Sequence, residues 1–145
     1  MPLLSVNIAR WMMKTICIDF DGVVHSYSSG WEGATEIPDL PVDGALEGLH
    51  RLCDDPEIEV AIHSARSAQP GGIRAMKEWL DYWEGVWRED NRIAPNDGSW
   101  LTERCKFPKD KPAAMVYVDD RGVNFDGDWS KITTELKDYQ PWNRR

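Results

Sequence analysis

Thr15-Ile16-Cys17-Ile18-Asp19-Phe20-Asp21-Gly22 is the stretch that decides the fold. A short apolar run rich in β-branched residues reads as a buried strand, and Asp21-Gly22 stops it with a turn. Two further runs have the same character: Glu57–Ile62 (EIEVAI) and Ala113–Val118 (AAMVYV). Between the first two, Asp43 is placed to cap a helix over Gly44–Cys53, with Ala45, Leu46, Leu49 and Leu52 along one stripe. After the second, Pro70-Gly71-Gly72 opens a helix that carries Ile73, Met76, Trp79, Leu80 and Trp83 at helical spacing. Asp128 is placed to cap a last helix bearing Trp129, Ile132 and Leu136, with Tyr139 just beyond. The stretch 85–112 carries many Gly and Pro residues and offers a strand somewhere in Leu101–Phe107. Strands alternating with helices predict an α/β fold, a three-layer Rossmann-like arrangement with a mostly parallel sheet and helices on both faces. In such sheets ligands bind beyond the carboxyl ends of the strands.

The chain has 145 residues, one domain's worth, with 41% hydrophobic and 29% charged residues, which is globular composition. A formal charge of −8 argues against a broad nucleic-acid-binding or anionic-lipid-binding surface, yet permits an anionic substrate if a divalent cation inverts the local field. No stretch approaches the ~20 apolar residues of a membrane span, and the opening lacks the pattern of a secretion signal. Cys17, Cys53 and Cys105 are odd in number and widely spaced, which reads as reduced thiols in a cytoplasmic protein. Residues 1–12 read as an extension ahead of a single domain over 13–145, because Met12-Met13 directly precedes the first strand signal. The Ser/Gly/Pro-rich stretch 25–43 reads as a small flap, too short to be a separate cap domain.

The strand ends carry the chemistry. Asp19 and Asp21 are two apart, so both can approach one point as the chain leaves the sheet. Packed carboxylates repel and raise one pKa unless a cation sits among them. The second strand ends in His63-Ser64-Ala65-Arg66, a hydroxyl and a guanidinium suited to phosphate oxygens, and the third ends in the pair Asp119-Asp120. Four carboxylates, a hydroxyl and an Arg at one sheet edge describe a magnesium and phosphate site.

In these motifs the chain resembles the haloacid dehalogenase (HAD) superfamily of phosphohydrolases. Strand-then-DxDG stands at Ile16–Gly22, the strand ending in Ser at Val60–Ser64, and strand-then-DD at Met115–Asp120. The short chain and the Asp-Asp-Arg-Gly run are similar to nucleotidase and polynucleotide-phosphatase branches and to small phage-type members. The resemblance implies that Asp19 is the nucleophile and Asp21 the general acid and base. It implies that Ser64 holds a phosphoryl oxygen, with Ala65, Arg66 and Lys109 beside the substrate. Mg2+ would be held by Asp19, the backbone carbonyl of Asp21, and Asp119, with Asp120 in support.

The lysine that neutralises the phosphate has three candidates, Lys106, Lys109 and Lys111. Lys111 lies eight residues before Asp119, ~26 Å away if the segment were one strand at ~3.3 Å per residue, so the chain must fold back near Pro112-Ala113-Ala114 for Lys111 to serve. Lys111 is favoured, because the nucleotidase branch has a similar Asp-Lys pair near its last strand; Lys109 is second. His25 and His63 suit structural hydrogen bonds as well as site roles, and Trp31 suits anchoring the flap as well as stacking on a base. The expected function is magnesium-dependent phosphomonoester hydrolysis on a phosphorylated small molecule, such as a nucleotide, or a nucleic-acid end. The alternative is a catalytically weak or inactive phosphate- or nucleotide-binding module. A phosphoacceptor signalling domain fits poorly, since its middle strand would end in Asp where this chain has His63-Ser64.

Overall fold

The computed structural model describes residues 13–144; the proposed extension over 1–12 lies outside the described residues. Three strands, β1 (Lys14–Ile18), β2 (Ile58–Ile62) and β3 (Val116–Val118), form one parallel sheet in the order β2-β1-β3. Among the described residues there are four α-helices, α1 (Ala45–Asp54), α2 (Gly72–Asp90), α3 (Leu101–Arg104) and α4 (Trp129–Leu136), and a short 3₁₀ helix over Trp142–Arg144. The molecule is therefore α/β with a small, open, all-parallel sheet.

Register explains the core. Ile16 pairs with Val60 and Ile18 with Ile62, so these four share one face of the pleat. Against that face pack Leu46 and Leu49 of α1, Met76, Trp79 and Leu80 of α2, and Leu101 of α3, all buried. Phe20 and Val24, just past β1, close the top of the same cluster. The stripes of α1 and α2 thus face the core as expected.

Four local expectations are corrected. Gly44 rather than Asp43 occupies the N-cap of α1, in the left-handed region at φ 80°, and no side chain caps that end. Glycine reaches that conformation without the steric cost a Cβ would add. The segment expected to hold a strand within Leu101–Phe107 forms the single turn α3, and only Lys106 then pairs alongside β2, through Lys106 N–H to Val60 O (2.9 Å) and Ile62 N–H to Lys106 O (2.8 Å). The last strand is three residues long rather than six, because the chain bends at Pro112–Ala114. Helices on both faces were expected, yet α4 buries no side chain and all three residues of β3 are exposed. Asp128 does cap α4, its Oδ1 accepting from Lys131 N–H at 3.1 Å. No described helix is long and apolar enough to cross a membrane.

Candidate functional site

The carboxyl ends of β1 and β3, with the turn after β2, surround a cleft of about 310 Å³. It is lined by Asp19, Ser64, Ala65, Lys111, Asp119 and Arg121, with Cys17, His63, Tyr117 and Val118 completing the wall. Parallel pairing of Ile18 with both Ile62 and Val118 brings these strand ends level, which is why residues distant in sequence share one opening.

Asp19, Asp119 and Asp120 each offer an oxygen within 4.8 Å of the others. The cluster is electrostatically costly without a cation. Asp19 is pushed up to about 8, chiefly by burial, then by the charge of Asp119 and by its hydrogen bond to Asp120. Burial also raises Asp120. Asp120 Oδ2 is buried and makes no hydrogen bond; the nearest cation, Arg121 Nε, stands 3.9 Å away. An orphaned oxygen among three acids is what a divalent cation would satisfy, so the donor set fits a hard, oxygen-ligated metal. Gly22 makes this packing possible: a Cβ there would lie 2.2 Å from Asp120 Oδ2, and its φ is +84°.

Ser64 lies at the cleft wall and turns the chain, its Oγ accepting from Arg66 N–H at 3.2 Å. Lys111 reaches the cleft because the chain folds back: Tyr117 Oη donates to Pro112 O (2.6 Å) and accepts from Ala114 N–H (3.1 Å). Six residues of straight strand would separate Lys111 from Tyr117 by roughly 20 Å. Instead the Lys111 amine sits 4.4 Å from the Tyr117 ring centre. Lys109 lines a different groove, with Ser67–Gly71 and the exposed side of α2, and Lys106 pairs with Glu59 at 3.0 Å.

Asp21 and Arg66 are placed otherwise than expected. Arg66 is fully buried, and its Nε donates to both oxygens of Asp21 (3.2 and 2.9 Å). Its Nη1 donates to the carbonyls of Gly33, Ala34 and Glu36 (2.7, 3.0 and 3.0 Å), and its guanidinium lies 4.8 Å from the Trp31 ring centre. The turn after Ser64 thus directs Arg66 under the flap rather than into the cleft wall; there it ties Asp21 to residues 33–36, its Nη2 buried without a hydrogen-bond partner. Trp31 accordingly has an anchoring contact. His25, also fully buried, accepts from Asp39 N–H at Nε2 (3.1 Å), so its other nitrogen, Nδ1, donates to Asp21 at 2.9 Å. Although burial opposes it, the hydrogen bonds from His25 and Arg66 hold the Asp21 carboxyl below its ordinary value.

No protein-family model, curated protein or solved structure matches this chain.

The sequence reading missed two features. Arg121 joins the cleft as a second cation, signalled only by its place directly after the acid pair. The segment after α4 straps the site loops together: Tyr139 Oη donates to Asp120 O, Trp142 Nε1 to Gly22 O (2.7 Å) and Asn143 Nδ2 to Ser26 O (3.2 Å). No spacing pattern announces such bonds, since they fall on backbone carbonyls.

Proposed function

We propose that this chain is a magnesium-dependent phosphomonoester hydrolase with a HAD-like Rossmann fold and a small flap in place of a cap domain. One observation carries the reading: Asp19, Ser64, Lys111 and Asp119, from four separate segments, line a single cleft. Asp19 and Asp119, with Asp120 behind them, would hold the cation, joined by the Asp21 backbone carbonyl. When bound, the cation supplies the positive charge that lets Asp19 ionise and offsets charge on the phosphoryl oxygens.

In this reading the Asp19 carboxylate attacks phosphorus, the leaving alkoxide departs, and an aspartyl phosphate forms. Ser64 donates to a phosphoryl oxygen, and Lys111 and Arg121 offset its charge. Asp21, held ionised by Arg66 and His25, is suited to take a proton from the water that hydrolyses the intermediate. It is poorly suited, as placed, to donate one to the leaving oxygen. Phosphate esters with good leaving groups should therefore turn over best. The open cleft suits an exposed phosphate, on a nucleotide or at a nucleic-acid end, and the net charge of −8 disfavours extended contact with a strand.

The test is phosphate release with magnesium from an aryl phosphate, nucleotides, sugar phosphates and 3′- or 5′-phosphorylated oligonucleotides. Asp19→Asn should abolish release while leaving the fold intact. Turnover within about tenfold of the parent would refute the nucleophile. Binding of a phosphorylated ligand with no turnover would replace the hydrolase by a binding module.

A further inference from the structure

Two thiols meet at the β2 edge of the sheet. Cys53 stands in the last turn of α1 and Cys105 directly follows α3, and their Sγ atoms are 3.6 Å apart across 52 residues of chain. A disulfide needs ~2.05 Å, so the sulfurs must close by roughly 1.5 Å, within reach of small side-chain torsions. A zinc site would need further ligands. Among the described residues, the one group of three or more acidic, Cys or His ligands close enough to share an ion is the Asp19 cluster. The pair is therefore a dithiol rather than a metal centre.

The two sulfurs are unequal. Cys105 is buried, 5% exposed, whereas Cys53 is only partly buried. Either thiol can donate to the other; that contact and the nearby Arg104 guanidinium hold Cys53 below its ordinary pKa, against the opposing effect of burial. The same contact, with burial, pushes the Cys105 thiol up. Asp54 and Glu84 are the acids that act on Cys53 from α1 and α2, and Arg104 is itself paired with Asp54 at 2.6 Å. A half-buried thiol of lowered pKa beside a fully buried one is the arrangement of an attacking and a resolving cysteine.

We propose that Cys53 and Cys105 are a modification site: a peroxide-reactive pair that closes to a reversible intramolecular disulfide. The Cys53 thiolate attacks a peroxide oxygen, the O–O bond breaks, and hydroxide leaves a sulfenic acid on Cys53. The Cys105 sulfur then attacks the Cys53 sulfur, loses its proton, and water departs. In sum two thiols give up two electrons and two protons, and hydrogen peroxide becomes two waters. A dithiol reductant reverses the change by exchange.

The bond would join the end of α1 to the segment that pairs with β2 through Lys106 and runs on to Lys111 in the cleft. Oxidation thus fixes the base of the segment that delivers a cation to the site. Closing a loop of 52 residues should raise the melting temperature by on the order of 10 °C.

The test uses the reduced full chain, treated with a few equivalents of hydrogen peroxide. Thiols are counted after denaturation, and disulfides are located by peptide mapping. Two of the three thiols should disappear, a peptide pair joined through Cys53 and Cys105 should appear, and melting should shift upward. Dithiothreitol should reverse all three. Cys105→Ser should stop at a Cys53 sulfenic acid that dimedone labels, and Cys17→Ser should still cross-link. Three surviving thiols, a bond through Cys17, a disulfide between molecules, or over-oxidised Cys53 without a cross-link would each overturn the proposal.

Discussion

Removing one acid from the strand-end cluster should have opposite effects with and without magnesium. Oxygens of Asp19, Asp119 and Asp120 lie within 4.8 Å of one another, and Asp19 is held at about 8 against an ordinary value of 3.8. At pH 9 Asp19 is ionised and repels Asp119. Two unit charges at that distance interact by about 3.5 kcal/mol at an effective dielectric constant near 20, and by about 0.9 kcal/mol in water. Asp119 is exposed, so about 1 kcal/mol is the working figure, or roughly 2–4 °C in melting temperature. The sign follows from linkage. A carboxyl whose folded pKa is raised contributes stability that is complete below its unfolded pKa and is lost as pH climbs through the folded value, here between 3.8 and about 8. In EDTA the parent should therefore melt lower at pH 9 than at pH 6, and Asp119→Asn should recover about 2–4 °C of that loss. Magnesium should raise the parent's melting temperature more at pH 9 than at pH 6, because at pH 6 it must displace a proton. In Asp119→Asn that increment should largely vanish. Thermal melts at the two pH values, with EDTA or millimolar magnesium, decide it. A magnesium increment independent of pH, or a variant less stable than the parent in EDTA at pH 9, would refute the reasoning.

Lys111→Ala should lower phosphate release by about 10²–10³, the loss typical of one preorganised donor at a developing charge, and Lys109→Ala by far less, because Lys109 faces another groove; steady-state turnover on an aryl phosphate measures both. Glu84→Ala should cost about 3–5 kcal/mol in denaturant melts, since Glu84 is fully buried and its loss strands Arg88, 3% exposed, and the Leu101 N–H that it accepts at 2.6 Å.

Much of this fold was legible because its signals are local. The apolar runs around Ile16, Val60 and Val116 needed only β-branched composition and a turn residue after them, and the α2 stripe needed only helical spacing. That Asp19, Ser64 and Asp119 meet at one cleft was legible for a related reason: each stands at or just past the end of a strand, and a parallel sheet levels its strand ends. Lys111 joins them only because the chain folds back at Pro112–Ala114. The partners of Arg66 and Asp21 were not legible, because they depend on which way a turn aims a long side chain. The sequence supplied Ser-Ala-Arg, and only the packed flap turns the guanidinium toward the carbonyls of Gly33, Ala34 and Glu36. The Glu84–Arg88 pair was hidden as well. Nothing in i,i+4 spacing shows that the Arg88 guanidinium also donates to the Ala94, Asp97 and Ser99 carbonyls inside the fold.

The strap formed by Tyr139, Trp142 and Asn143 sets an order on the birth of the molecule. Trp142 meets Gly22 across 120 residues of chain and Asn143 meets Ser26 across 117. On a ribosome the first acidic loop emerges well over a hundred residues before the side chains that fix its carbonyls. Such distant closures are slow, because the entropy of a long loop must be lost before the contact rewards it. A nascent chain therefore exposes Asp19 and Asp21 well before their loop is tied down, and the finished cleft belongs only to a chain synthesised through Asn143.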